Sequence, residues 1–185
     1  MSTISTRAGV RPAVVVAYAG AGLYVVLLLV LHMVQPQMLG DATISKYALG
    51  PGGWMLQVAF VAAGVGYAGL ALLSKRWVAL LAWLTAAAFA VMGAFRIDSV
   101  GPTQVVSVHG ALHTGAFFAV VMLAHALMFV RRPRAHSSLL RILPFVAPVL
   151  AVAGFFLPGL LGAVIFRLWT LSLVVWVVLT AREAS

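Results

Sequence analysis

The sequence predicts an all-α fold: a polytopic integral membrane bundle of six transmembrane helices, forming a single domain over residues 1–185. Of the 185 residues, 64% are hydrophobic and 8% are charged, whereas about a quarter of the residues in a soluble domain are charged. Apolar runs of about 20 residues recur along the chain, and each is long enough to cross a hydrocarbon core of about 30 Å. These observations leave no room for a separate soluble domain.

The predicted spans follow the apolar runs in chain order. They cover residues 13–34, 54–74, 77–96, 106–130, 140–157 and 161–181. The first run is too long for the apolar part of a signal peptide, so we expect it to be retained as a helix. Lys75 and Arg76 separate spans two and three, and a Gly-Pro turn precedes span four. Pro144 and Pro148 are expected to kink span five, and a Pro-Gly corner precedes span six.

The basic residues predict the orientation, because Lys and Arg concentrate in cytoplasmic connections. With alternating spans, one side receives Arg7, Arg11, Lys75, Arg76, Arg131, Arg132, Arg134, Arg141 and Arg182. The opposite side receives Lys46 and Arg96, with Asp41 and Asp98 as counter-charges. We therefore expect a multi-pass protein of the cell (plasma) membrane with both termini cytoplasmic.

Composition also limits the partners and the chemistry. The chain has no cysteine, which excludes disulfides, thiol nucleophiles and Cys-ligated clusters. Its net charge is +9, but the basic residues sit mostly at the ends of apolar runs. That placement indicates contact with anionic lipid headgroups rather than with nucleic acid. The expected partners are membrane lipids and, in addition, a small-molecule or lipid ligand.

The stretch from Arg96 to His113 gathers costly polar groups in one turn and its flanks. His109 and His113 are four residues apart, so they share a helix face and can reach one metal ion. Asp98 is placed to be a third ligand or an orienting partner of an imidazole, and His32 is placed to be a fourth ligand. The alternative is structural: each histidine hydrogen-bonds to a neighbouring helix and holds the bundle together.

Arg167 lies about six residues inside the last span. An arginine at that depth costs several kcal/mol unless it is paired or reaches water, at about 2.5–3.5 kcal/mol on insertion scales. Asp98 is the acid expected near it, so the sequence predicts an Asp98–Arg167 ion pair. Snorkelling to the headgroups is the alternative.

A haem site is a less favoured prediction. His113 and His125 lie on one helix, about 18 Å apart at 1.5 Å per residue, as in di-haem membrane cytochromes. Each haem needs a second axial ligand from another span. His32 is a candidate for one site, and Met92 and Met122 are nominal candidates for the other.

Three segments resemble, in the same order, the bacterial membrane-protein family catalogued as domain of unknown function 998: ISKYALGPGGWM (44–55), FRIDSVGPTQVVSVHGALH (95–113) and GLLGAVIFRLW (159–169). The resemblance implies about six spans, a Ser-x-Tyr and Gly-Trp outer loop, a His-Gly-x-x-His turn and an arginine in the last span. The chain departs at Arg96, where a proline is expected, and at Phe166, where an acid is common. The resemblance implies fold and membrane location, and it implies no activity.

Two classes of function remain open. One is a small-ligand or lipid-binding, sensory or accessory membrane protein whose polar level fixes helix packing. The other is a zinc-dependent transmembrane hydrolase of a lipid or lipid-linked substrate, which distantly resembles ceramidase-like enzymes. In the hydrolase, Asp98, His109 and His113 hold zinc and its water, and Ser45 or His32 assists; zinc lowers the pKa of bound water toward about 7.

Overall fold

The computed structural model describes residues 5–41, 43–99, 106–131 and 138–184, and this part of the chain is helical with short connections. The long helices are α1 (Ser5–Val34), α2 (Trp54–Leu72), α3 (Arg76–Ala94), α4 (Val108–Val130), α5 (Ser138–Phe156) and α6 (Gly159–Ala184). Two short 3₁₀ helices, η1 (Pro36–Gly40) and η2 (Ile44–Leu49), lie between α1 and α2.

Each of the six α-helices is long and apolar enough to cross a membrane. Their bounds lie within three residues of the predicted spans, except that α1 begins at Ser5 rather than near residue 13. The prediction placed that start at the first apolar residue, whereas the helix continues through Pro12. The chain is a multi-pass membrane protein of the predicted all-α class. Its orientation stays a prediction.

α1 packs on α2, α2 on α3, α3 on α4 and α5 on α6, and α6 closes the bundle against α1. α2 is the most deeply buried helix, since neighbours surround it on several sides. A Cβ atom on Gly20 of α1 would collide with the backbone of Gly66 in α2. Glycine therefore lets these two backbones approach more closely than side chains would allow.

The connection between α1 and α2 folds back onto the bundle. Ile44 and Tyr47 of η2 are buried in the core. Gln35 is fully buried, and its side-chain amide donates to the carbonyls of Tyr47 at 3.0 Å and Pro51 at 2.7 Å. The end of the bundle that carries this connection and residues 95–99, 106 and 107 is called the long-loop end below.

Candidate functional site

A cavity of about 300 Å³ lies at the centre of the bundle, toward the long-loop end. All six α-helices and η2 contribute to its wall. The wall is mainly apolar and aromatic, and its apolar members include Ile44, Phe60, Phe89, Met92, Ile97, Phe117, Phe118, Val120, Phe155, Phe166, Trp169 and Leu173. Its polar side chains are Tyr24, Thr43, Ser45, His113, Thr114 and Thr170. The cavity therefore combines an apolar interior with a few hydroxyl groups and one imidazole.

Two of the residues that line the cavity, one on α4 and one on α5, are also exposed on the outside of the bundle. Phe118 of α4 is 53% exposed and Phe155 of α5 is 57% exposed, although both line the cavity. α4 packs extensively on α3 and α5 packs extensively on α6, whereas contact between α4 and α5 is sparse. The two rings thus belong both to the cavity wall and to the outer surface of the bundle.

His113 lies in the first turns of α4 and points into the bundle, where it is 2% exposed. Its Nδ1 is 2.8 Å from the carbonyl oxygen of Phe95 and 3.2 Å from that of Met92. Because carbonyl oxygens only accept hydrogen bonds, Nδ1 carries the ring proton. In the neutral ring Nε2 then has a free lone pair, and it lies 2.9 Å from the hydroxyl oxygen of Ser45.

Ser45 belongs to the first turn of η2 and is 7% exposed. Since Nε2 of His113 is an acceptor, the Ser45 hydroxyl donates to it. Both side chains also line the central cavity. The structure thus brings together two residues 68 positions apart in the sequence as a hydroxyl donor and an imidazole acceptor.

The carbonyl partners of His113 lie at the C-terminal end of α3, where the last carbonyls of a helix have no intrahelical donor. The carbonyl of Gly93, in the same turn, accepts from the Gln57 side chain at 3.2 Å. Side chains of α4 and α2 thus satisfy this helix end. The negative end of the α3 dipole faces the His113 ring, and it is worth about half an elementary charge.

Asp98 caps α4 from the preceding connection. Its carboxylate accepts from the Ser107 hydroxyl at 2.6 Å and from the Ser107 backbone N–H at 2.8 Å. Ser107 in turn accepts from the backbone N–H of Gly110 at 3.0 Å. The two hydrogen bonds from Ser107, the side-chain one first, hold the pKa of Asp98 below its ordinary value, and His109 adds to this effect.

Gly110 explains part of the His-Gly-x-x-His pattern. A Cβ atom at this position would collide with the carboxylate of Asp98. The glycine therefore allows the acid to reach the start of α4. His109 points away from the cavity: its side chain is exposed and its ring packs edge-on against Phe95, with 5.4 Å between ring centroids.

Arg167 of α6 uses all five of its N–H groups on neutral acceptors. Nε donates to Nε2 of His32 at 2.8 Å. Nη1 donates to the carbonyls of Asp41 at 3.1 Å and Ala163 at 2.8 Å. Nη2 donates to the carbonyl of Met38 at 3.1 Å and to the Tyr47 hydroxyl at 3.3 Å. The guanidinium fastens η1 and η2 to the last helix, and it has no donor left for a ligand.

Arg167 and its hydrogen-bond partners form a brace between the α1–α2 connection and α6, and His32 is one of those partners. Its Nδ1 donates to the Leu28 carbonyl at 2.6 Å, so its Nε2 is the acceptor for Arg167. Its ring packs against that of Tyr47, with centroids 5.1 Å apart. Both nitrogens of His32 are therefore occupied within the protein.

His125 lies in the other half of α4. Its Nδ1 is 2.6 Å from the Val121 carbonyl, and its Nε2 accepts from the Trp169 indole N–H at 3.3 Å. An iron ligated by Nε2 of His113 or of His125 would have to replace the Ser45 or the Trp169 partner, and the haem site stays a prediction. Of the nominal methionines, Met122 is exposed on the helix surface and Met92 is buried in the cavity wall.

The predicted polar level therefore divides into separate arrangements. Among the described residues, no group of three His, Asp or Glu side chains is placed to hold a metal ion. The Asp98–Arg167 pair is also wrong, since Asp98 binds Ser107 and Arg167 binds carbonyls, a hydroxyl and His32. Charged and polar side chains of a membrane protein were expected to pair with one another, whereas here main-chain groups, hydroxyls and an imidazole are their hydrogen-bond partners.

Gln35 was not predicted as part of this end of the bundle, and the contact of Tyr47 with Arg167 was not predicted either. Gln35 holds the loop by two carbonyls, and Tyr47 is fully buried beside Arg167. Gln35 follows directly on the first apolar span, and a polar amide at that position could have indicated a buried hydrogen bond at the end of the helix. For Tyr47 the sequence left two alternatives open, packing back on the bundle or a place at the membrane interface, where tyrosine is common.

A family model described as "Protein of unknown function (DUF998)" matches residues 18–183. No curated protein and no solved structure matches the chain.

Proposed function

The chain belongs to the DUF998 family, and from its central cavity we propose that it binds an uncharged, single-chain amphiphile taken from the membrane. One observation carries this proposal: a cavity of about 300 Å³ with an apolar wall and a small polar end, inside a membrane bundle. Pockets of about 300–1,000 Å³ with few polar groups are typical of small-molecule sites.

The size of the cavity favours a single acyl or alkyl chain. Its volume lies at the lower limit for ligand pockets, which is too small for a phospholipid with two chains. The aromatic rings of Phe60, Phe117 and Phe166 offer broad apolar contact to such a chain. Apolar burial contributes about 0.8 kcal/mol for each methylene group.

The polar wall favours an uncharged headgroup. The described residues that line the cavity include no Asp, Glu, Lys or Arg. Ser45, His113 and Thr114 supply hydrogen-bonding groups at the long-loop end. A hydroxyl, ester or amide headgroup matches these groups, whereas a bare carboxylate or phosphate would be buried without a counter-charge.

The exposed rings of Phe118 and Phe155 support entry from the membrane rather than from water. With both termini cytoplasmic, as the basic residues predict, the cavity lies in the outer half of the plasma membrane. The ligand then comes from the outer leaflet.

Native mass spectrometry with 1-decylglycerol ether tests the proposal, because this probe has one alkyl chain and cannot be hydrolysed. The matched variants are Leu173→Trp in the cavity wall and Leu168→Trp on the exposed side of the same helix. We expect Leu173→Trp to weaken binding at least tenfold and Leu168→Trp to change it less than twofold. Equal binding to both variants, or no binding to the wild type, would contradict the proposal.

A further inference from the structure

We infer that Ser45 is a nucleophile and His113 its general base, and that the ligand of the cavity is a single-chain carboxylic ester that the pair hydrolyses. The inference rests on the proposed function, because the ester must first bind in the central cavity. It names the chemistry at the polar end of that cavity.

The geometry of the pair fits a serine activated by an imidazole. The Ser45 hydroxyl oxygen lies 2.9 Å from Nε2 of His113, within the range of about 2.6–3.2 Å for a nucleophile and its base. The ring proton is held on Nδ1 by the Phe95 carbonyl at 2.8 Å. Nε2 is thus the tautomeric position that can accept the hydroxyl proton, and a third group orients the ring.

The end of α3 takes the place that a carboxylate has in a Ser-His-Asp triad. When His113 accepts a proton, its ring becomes positive while it faces the carbonyls of Met92 and Phe95. The C-terminal end of a helix favours a nearby cation, and more strongly at a partly buried site than at an exposed one. The arrangement orients the base and stabilises its charged form with main-chain groups alone.

The two other buried or half-buried histidines of the transmembrane helices show what a purely structural imidazole looks like here. Nε2 of His32 accepts from the Arg167 guanidinium, and Nε2 of His125 accepts from the Trp169 indole. Neither donor is a nucleophile. At His113 the donor is a hydroxyl, and that hydroxyl lies on the wall of a cavity.

The reaction balances with water as the second substrate. The Ser45 oxygen bonds to the ester carbonyl carbon while its proton passes to Nε2 of His113. The bond from that carbon to the alkoxy oxygen then breaks, and the alcohol leaves with the proton from His113. Water attacks the acyl-serine in the same way, so the products are a carboxylic acid and an alcohol, with both residues restored.

Covalent labelling with a decyl fluorophosphonate, followed by peptide mass spectrometry, tests the inference on the full-length protein in detergent. Fluorophosphonates form a phosphonyl ester with an activated serine and release fluoride. We expect the label on Ser45 of the wild type and at least a 100-fold lower rate in Ser45→Ala. Ser172→Ala is the matched control: Ser172 is 6% exposed, and its hydroxyl donates to the Trp169 carbonyl. It should be labelled at the wild-type rate.

Binding of 1-decylglycerol ether separates the two proposals. If Ser45→Ala binds the ether and the wild type releases decanoic acid from 1-decanoylglycerol, both stand. If the wild type binds the ether but Ser45 is not labelled and the ester is not cleaved, the inference is wrong and the binding proposal stands. If the wild type does not bind the ether, the binding proposal fails, and the inference that rests on it fails with it.

Discussion

α4 carries two buried histidines, His113 near the long-loop end and His125 twelve residues further on. In both rings Nδ1 is held by a main-chain carbonyl and Nε2 accepts a hydrogen bond. The donor to His125 is an indole fixed in the helix packing, whereas the donor to His113 is the Ser45 hydroxyl on the cavity wall. The surroundings of Nε2, rather than burial or tautomer, therefore separate a structural histidine from one that can act as a base.

The largest expected effect comes from removing the brace that holds Ser45 in place. Arg167→Met leaves buried carbonyls, the Tyr47 hydroxyl and Nε2 of His32 without donors, at a cost of about 3 kcal/mol in unfolding free energy. The loss should disturb the His113 half of α4 and spare the surroundings of His125. Unfolding in mixed micelles measures the first effect, and Trp169 fluorescence reports the second.

Arg96→Met is the control for this change, because Arg96 lies at the same end but is exposed and donates to Gln57 at 3.2 Å. Its cost should stay below about 1 kcal/mol. Equal losses for the two arginines would show that Arg167 is not a brace.

The next effect separates the two histidines directly. His113→Gln removes the base, and we expect the rate of Ser45 phosphonylation to fall about 100-fold, the lower end of the range for general-base catalysis. His125→Gln should leave the rate within twofold of the wild type. A rate that falls equally in both variants would mean that His125 has the same part in the chemistry, or that both act through stability.

A smaller effect tests how α4 begins. Gly110→Ala places a methyl group against the Asp98 carboxylate, and overpacking of this kind costs about 1–3 kcal/mol. Gly115→Ala, on the same helix, meets open space and should stabilise the protein by about 0.5–1 kcal/mol. Thermal unfolding of the two variants checks the difference, and a loss in Gly115→Ala alone would contradict the Asp98 contact.

The smallest effect concerns pH. The pKa of Asp98 is lowered in the folded state by the hydrogen bonds from Ser107. Its contribution to stability is therefore present above the pKa of the unfolded chain and is lost as the pH falls through the folded pKa. Asp98→Asn should remove this acid-dependent part of the stability curve and leave Ser45 labelling unchanged. If the free energy of unfolding of Asp98→Asn has the same dependence on acid pH as that of the wild type, the Asp98 cap contributes nothing measurable to stability.

The six helices were predictable because span length and apolarity are properties of the sequence alone. His113, Ser45 and Arg167 were also identifiable, since polar groups in an apolar helix are costly and few. Their partners were not predictable. Arg167 was paired with Asp98 because their charges are opposite, but it binds the main-chain carbonyls of Met38 and Asp41. Because every residue has a main-chain carbonyl, the sequence does not indicate which carbonyls an arginine will bind.

The Ser45–His113 contact depends on how a 3₁₀ helix folds back over the bundle, and the spacing of the two residues gives no sign of it. His109 and His113 share the spacing of a metal pair, yet helix rotation turns His113 inward and leaves His109 exposed. Rotation of an apolar helix about its axis is poorly encoded when its residues are apolar on all sides.

The most direct test of the account is ¹⁵N NMR of histidine-labelled protein, with resonances assigned through His113→Gln and His125→Gln. We predict that both rings are neutral with the proton on Nδ1. We also predict that Ser45→Ala shifts the Nε2 resonance of His113 and leaves that of His125 in place. Two results would contradict the claim that His113 accepts the Ser45 proton. One is a proton on Nε2 of His113, and the other is an Nε2 resonance of His113 that does not shift in Ser45→Ala.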